Sequence, residues 1–244
     1  CMITKETVKQ VRQLHQKKFR TAEQLFIIEG IKMLEEALRF NSQCIQAIYV
    51  SEKLELPFVV PNEKLIVVTD KVLRQLSTLK NPQGIVAVCR QFSAEVNPKT
   101  FSIALDRIQD PGNMGTILRL AAWFGVKQII ASPDSVDQFN PKVVQASMGA
   151  IFNVSVIYTD LKEFLSQCDV PVYGALLSGE NVYTQKLKPE GVILMGNEGN
   201  GISDALLPFI TSPLHIPKFG EGESLNVAMA TGVFLSEFCR GEFN

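Results

Sequence analysis

The chain of 244 residues holds only two histidines, His15 and His215, and they do not stand in a metal-ligand spacing. Its five cysteines, Cys1, Cys44, Cys89, Cys168 and Cys239, are scattered, with no C-x-x-C pair. That argues against a zinc site and a disulfide framework and for a reducing compartment, so no metal is expected. No apolar run reaches membrane-spanning length, and the N-terminal stretch lacks a signal-peptide pattern, so the expected location is cytoplasmic with no membrane partner. The formal net charge is -1, so overall charge gives no sign of nucleic acid, and an RNA partner would need a local basic patch. There is no P-loop, no G-x-S-x-G elbow and no G-x-G-x-x-G fingerprint. Internal repeats and low-complexity tracts are absent too. What remains is ordinary for a soluble globular protein, 46% apolar and 20% charged, and long enough for one large domain or two modest ones.

The first third alternates helix and strand. Thr4 to Arg20 reads as one helix with Val8, Val11 and Leu14 on one face. Its other face carries Lys5, Lys9, Arg12, Lys17, Lys18 and Arg20 against the single acid Glu6, the most basic part of the chain. A solvated helix face and an RNA contact both fit this pattern, with Lys17, Lys18 and Arg20 the candidate contacts. Strands are expected at Phe26–Ile28, Ile45–Val50, Leu65–Thr69 and Ile85–Cys89, with Asp70 capping a helix between the last two. This describes a small three-layer α/β domain, residues 1–92. The polar stretch 93–100, with Pro98, reads as a linker. Residues 101–244 alternate strand and helix again, as in a parallel sheet covered on both faces. Ligands of such sheets bind beyond the carboxyl ends of the strands.

Three loops fall in that place. In Asp110-Pro-Gly-Asn-Met-Gly-Thr-Ile-Leu-Arg119, Asn113 is a natural N-cap for a helix from Met114 to Phe124, and Arg119 stands alone in an apolar run. Such an Arg is ordinarily a surface residue; the sharper reading is a guanidinium placed for phosphate or a developing oxyanion. In Met195-Gly-Asn-Glu-Gly-Asn-Gly201 the glycines permit close backbone approach to a ligand, with Glu198 inside the loop. In the stretch from Leu214 to Phe238, a short strand ends at Ile216, a loop carries Gly220 and Gly222, and Ser224 stands where a helix N-cap belongs. With no histidine partner in view, Ser224 is a poor nucleophile.

Taken together, the three loops resemble the signature motifs of the SpoU (TrmH-like) family of SPOUT RNA methyltransferases. Ala146-Ser-Met-Gly-Ala-Ile-Phe152 is similar to that family as well. The first third resembles the L30e-like substrate-binding domain often placed in front, through Arg20, Phe26-Ile-Ile-Glu-Gly30 and Gln83-Gly-Ile-Val-Ala-Val88. Lys218 departs from the family, which often has an apolar residue there. The resemblance implies an α/β fold: an L30e-like three-layer domain, then a parallel-sheet SPOUT domain with a deep trefoil knot. It implies methyl transfer from S-adenosylmethionine to a ribose 2′-hydroxyl of rRNA or tRNA, by a homodimer with its active site at the dimer interface. By motif match, Asn113, Arg119, Glu198, Ser224 and Asn226 take the catalytic positions. Leu176, Gly196, Asn197, Glu198, Gly199, Ile216, Ser224 and Leu225 would hold the cofactor.

Two other readings stand beside this one. A non-catalytic RNA-binding protein could use the knot as a scaffold, and calorimetry with the cofactor distinguishes it. An unrelated nucleotide-dependent α/β enzyme is disfavoured by the glycine spacing.

Overall fold

In the computed structural model, residues 3–243 are described; Cys1 lies outside them. The elements run α1 (Lys5–Gln13), α2 (Lys17–Glu23), β1 (Leu25–Glu29), α3 (Ile31–Asn41), β2 (Ile45–Ser51), β3 (Leu65–Val68), α4 (Asp70–Leu76) and β4 (Ile85–Arg90). They continue β5 (Ser102–Leu105), α5 (Pro111–Trp123), β6 (Gln128–Ala131), α6 (Pro141–Ser147), β7 (Ser155–Tyr158), α7 (Leu161–Ser166), β8 (Val172–Asn181), β9 (Val192–Met195), β10 (Ser212–His215) and α8 (Val227–Cys239). The chain divides into two compact units: residues 1–92 with 137–152, and 93–136 with 153–244. The segment 137–152, which the sequence reading places in the second domain, thus packs with the first unit.

The first unit is built on a mixed sheet of order β1-β4-β2-β3. β4 runs antiparallel to both β1 and β2, and β2 parallel to β3. One face buries Phe26, Ile28, Leu34, Ile48 and Ala87 together with Phe139, Val144, Ile151 and Phe152. The aromatic rings of Phe26 and Phe139 lie 4.6 Å apart. The other face buries Val11, Leu14, Tyr49, Leu73 and Leu76 beneath α1 and α4.

The single N-terminal helix expected from the apolar spacing is two helices, broken at Leu14–Gln16. Arg20 explains the break. Its side chain is 2% exposed, and Nη1 donates to the carbonyls of Leu14 and His15, both at 3.1 Å. Those carbonyls lie where α1 runs out of intrahelical partners. Nη2 and Nε donate to Asp137 Oδ2 at 2.7 and 3.2 Å. Arg20 is therefore not on the basic surface with Lys17 and Lys18, which are exposed.

Glu29 is buried as well, and accepts from Ser77 Oγ, Thr78 Oγ1 and, at 2.8 Å, Thr78 N. It fastens the end of β1 to the segment after α4. Next to it, Gly30 has φ 94°, and a Cβ there would stand 2.2 Å from Gln83 Oε1. The positive φ is what calls for glycine, since the Gln83 amide is the end of a flexible side chain that can give way. Thr69, rather than Asp70, caps α4, accepting from Val72 N; Asp70 is the first helical residue.

The second unit is a parallel six-stranded sheet of order β10-β8-β9-β5-β6-β7. β5, β6 and β7 step in one direction. The chain then crosses to the far side of β5, lays down β8, and fills the gap with β9. The strand order therefore reverses between β5 and β9, the place where sheets of this kind leave a crevice at their carboxyl ends. Strands buried on both faces read as near-continuous apolar runs, as in Ile103-Ala-Leu105 and Val192-Ile-Leu-Met195. α5 and α8 pack on each other, bringing the loops after β5 and β10 together. Between β9 and β10 the chain makes a 3₁₀ turn, Leu207–Phe209, where Pro208 removes a backbone donor.

Candidate functional site

The loop after β5 is shaped by two anchors, the buried Asp106 and the half-buried Arg107. Asp106 is 3% exposed and its Oδ2 accepts from Ser203 N at 2.7 Å, fixing the chain beyond β9. Arg107 has φ 55°, a left-handed conformation uncommon outside glycine. Its N–H donates to Ser132 Oγ at 2.8 Å, and its carbonyl accepts from Asn197 Nδ2 at 2.7 Å. Asp110 then caps α5, accepting from Asn113 N at 2.8 Å, with Pro111 at the first helical position. Asn113 is thus the capped residue and not the cap, which leaves its side chain available.

The loop after β9 closes on itself. Asn197 and Gly201 exchange backbone hydrogen bonds of 2.9 and 3.0 Å. Asn197 Oδ1 accepts from the N–H groups of Gly199 and Asn200. A Cβ on Gly196 would stand 2.3 Å from backbone atoms of Gly201 and Ile202, so this turn admits no side chain there. Its tightness presents Glu198 at the surface.

The loop after β10 ends in α8, whose cap is Asn226 and not Ser224 as expected. Asn226 Oδ1 accepts from Ala228 N and Met229 N at 3.0 and 3.2 Å. Asn serves as N-cap as well as Ser does, and the helix starts two residues later than the serine requires. Ser224 is exposed in the loop.

These three loops meet in one chain of hydrogen bonds. Asn226 Nδ2 donates to Asn113 Oδ1 at 2.9 Å, and Asn113 Nδ2 donates to Glu198 Oε1 at 3.0 Å. The direction is forced. Asn226 spends its oxygen on the helix cap, so its nitrogen faces Asn113; Asn113 then has only its nitrogen left for the carboxylate. Glu198 Oε2 accepts in addition from Asn197 Nδ2 at 3.2 Å. Residues 113, 198 and 226 are far apart in sequence and joined here in one node.

Beside the node lies a cavity of about 720 Å³. Every residue that sequence assigns to the cofactor lines it: Leu176, Gly196, Asn197, Glu198, Gly199, Ile216, Ser224 and Leu225. Leu177, Phe219, Val227 and Phe234, which the sequence reading did not assign to the site, line it too, as does Lys218, the residue that departs from the family pattern. Phe219 is adjacent to the glycine loop at 220–222; Leu177 and Phe234 carry no such signal in the sequence. Arg119 stands apart. It is exposed on α5, outside this cavity, and among the described residues it has no hydrogen-bond or ion-pair partner. A second, shallower groove of about 410 Å³ runs between α5 and α8, lined by Thr116, Leu120, Met229 and Gly232 among others. Close to it in the fold, Trp123 ends α5 with 84% of its surface exposed. Among the described residues no cluster of His, Cys, Asp or Glu could hold a metal ion, and no helix is long and apolar enough to cross a membrane.

Residues 100–236 match the SpoU rRNA Methylase family, and residues 5–87 match the MRM3-like substrate binding domain. The 23S rRNA (guanosine(2553)-2′-O)-methyltransferase RlmP of Bacillus subtilis is 29% identical over 94% of this chain and 94% of its own length. Among solved structures, a putative RNA methyltransferase of the TrmH family from Porphyromonas gingivalis superposes with a TM-score of 0.90 at 34% identity, over 99% of this chain and 100% of that one. An AdoMet-bound rRNA methyltransferase from Sinorhizobium meliloti does so with a TM-score of 0.85 at 30% identity, over 98% and 96%. With its fold, its three converging loops and these matches, the chain belongs to the SpoU rRNA methylase family.

Proposed function

We infer that this protein is an S-adenosylmethionine-dependent RNA 2′-O-ribose methyltransferase, with rRNA as its substrate class. The observation that carries the reading is the Asn226–Asn113–Glu198 chain beside the cavity. It ties the ends of three loops at the reversal point of the sheet, where a ligand of nucleoside size is expected. The cavity fits such a group. Its volume lies in the usual range for small-molecule sites. Its walls offer the apolar surfaces of Leu176, Ile216, Leu225 and Phe234, and at Gly220 and Gly222 the backbone faces open space.

When bound, the cofactor supplies a sulfonium methyl, already a strong electrophile, so neither metal nor covalent enzyme intermediate is required. The protein's work is to align the ribose 2′-oxygen with that methyl and to stabilise the charge that develops on it. Leu176, Ile216 and Leu225 would hold the cofactor by their backbone and apolar surface. Asn113, Glu198 and Asn226 keep the three loops in register. Arg119 is the charged donor. A guanidinium stays protonated in proteins, so it stabilises the oxyanion or orients the neighbouring phosphate and does not remove the proton. Its exposed position on α5 suits a site completed across a homodimer interface. The exposed Trp123 and Met229 and the groove between α5 and α8 give that interface apolar surface to bury. Lys17 and Lys18 of the substrate-binding domain contact RNA phosphates. The trefoil knot of residues 101–244 and a cytoplasmic location belong to the same reading.

The test is transfer of tritiated methyl from labelled cofactor into unmodified rRNA, with nucleoside analysis for 2′-O-methyl products and light scattering for the dimer. Label in a 2′-O-methyl nucleoside is the expected result. No transfer, together with no cofactor binding by calorimetry, would return the protein to the RNA-binding scaffold; a monomer at micromolar concentration would remove the shared site.

A further inference from the structure

Phe219 is 97% exposed, yet it lines the mouth of the large cavity. Leu177, within β8 and 85% exposed, and Leu225, just before the cap of α8 and more than half exposed, line the same cavity. Single apolar side chains in water are ordinary, but three of them converging on one opening beside a reaction centre form a binding surface. The charged residues lining the cavity are Lys218, Glu198 and Glu223, one cation against two acids. Such a lining does not attract a phosphate backbone. What suits a flat aromatic face between aliphatic edges, with no net positive charge, is the face of a nucleobase. Proteins that read single-stranded RNA hold splayed bases in this way.

We propose that Phe219 is a stacking platform for the base of the nucleotide whose ribose is methylated, with Leu177 and Leu225 forming the edges of the slot. The proposal rests on the RNA methyltransferase reading and adds to it a contact to the substrate base, made chiefly by Phe219, which has no part in the hydrogen-bonded node; Leu225 then stands between cofactor and base. Phe219 acts on binding, not on the chemical step. Removing it raises KM for RNA and leaves kcat near its original value.

The experiment compares wild type with Phe219→Ala, Phe219→Leu and Phe219→Trp. RNA affinity is read by fluorescence anisotropy with a fluorescein-labelled single-stranded 12-mer oligoadenylate, at several salt concentrations and with saturating S-adenosylhomocysteine. Affinity for S-adenosylhomocysteine is read by calorimetry, and KM and kcat by methyl transfer into unmodified rRNA. Phe219→Ala is expected to weaken the oligonucleotide by roughly tenfold, the usual loss for one base–aromatic stack. Phe219→Trp restores the affinity and Phe219→Leu does not. The slope of log affinity against log salt stays unchanged, because no phosphate contact is lost. An affinity for RNA equal to wild type, or full rescue by Leu, overturns the proposal. So does a loss of S-adenosylhomocysteine affinity, which would place the cofactor's adenine on the ring. If wild type transfers no methyl, the underlying reading fails and the stacking role falls with it; if it transfers methyl and Phe219→Ala has the same KM, the stacking role alone falls.

Discussion

Replacing Arg20 by Ala separates the two roles that sequence and structure give this residue. In the fold its guanidinium makes four hydrogen bonds, two to Asp137 and one each to the carbonyls of Leu14 and His15. The side chains of Arg20 and Asp137 are 2% and 17% exposed, so water screens the pair poorly. Truncating one partner of a buried ion pair costs about 3–5 kcal/mol, because the other charge is left without compensation. Two carbonyls at the end of α1 lose their donor in the same step. A loss of that size is a large fraction of the 5–15 kcal/mol by which a domain is ordinarily stable. At roughly 4–8 °C per kcal/mol for a domain of up to about 100 residues, the first unit should melt more than 10 °C lower. The assay is urea and thermal unfolding followed by circular dichroism, with Asp137→Leu and Arg20→Leu/Asp137→Leu alongside. The double variant should recover part of the loss, since an apolar pair removes the stranded charge. The reasoning is refuted if Arg20→Ala melts within a degree or two of wild type while its RNA affinity and salt slope fall. That outcome would return Arg20 to the RNA-contacting face.

Arg119→Ala should fold and bind S-adenosylmethionine normally by calorimetry while methyl transfer falls about 10²–10³-fold, and Arg119→Lys should recover little of it. Asn226→Ala removes both the α8 cap and the donor to Asn113, so cofactor affinity and rate should fall together, with about 1 kcal/mol of stability lost in urea titration. Lys17→Ala/Lys18→Ala should weaken RNA binding and flatten the log–log salt slope by roughly one unit per lost phosphate contact, leaving cofactor affinity unchanged in calorimetry.

The strands of both units were legible because their apolar runs are short and bounded by turn residues, and the parallel second sheet followed from their alternation with helices. The break in the first helix was not. Val8, Val11 and Leu14 keep helical spacing up to the break, and no proline or glycine marks it. What stops the helix is a tertiary demand: Arg20 needs carbonyls, and Asp137, 117 positions away, completes its shell. The same distance hides the packing of 137–152 with the first unit, since Phe139, Ile151 and Phe152 read as apolar residues of any core. Arg20, Glu29 and Gly30, three residues through which the first third resembles an RNA-binding domain, are each tied into that unit's own structure.

At the candidate site the sequence revealed which loops meet, and the glycines explain why. Gly196 admits a turn that no side chain allows, and strand ends on either side of the sheet's reversal face one crevice. It did not reveal which residue of each loop caps a helix and which is left over. Asp110, Asn113, Ser224 and Asn226 are all good caps by type, and capping is decided by where the first helical residue falls. That choice has a consequence beyond the helix ends. Because Asp110 takes the cap of α5, Asn113 is free to bridge; because Asn226 caps α8 with its oxygen, it can offer Asn113 only a donor. The two helix starts thus set the polarity of the node, and the last donor in the chain has a single acceptor that fits, the carboxylate of Glu198. A glutamine at position 198 would still accept that bond with its carbonyl oxygen, but without the charge that strengthens it. The loops should therefore remain joined in Glu198→Gln, and be held more loosely.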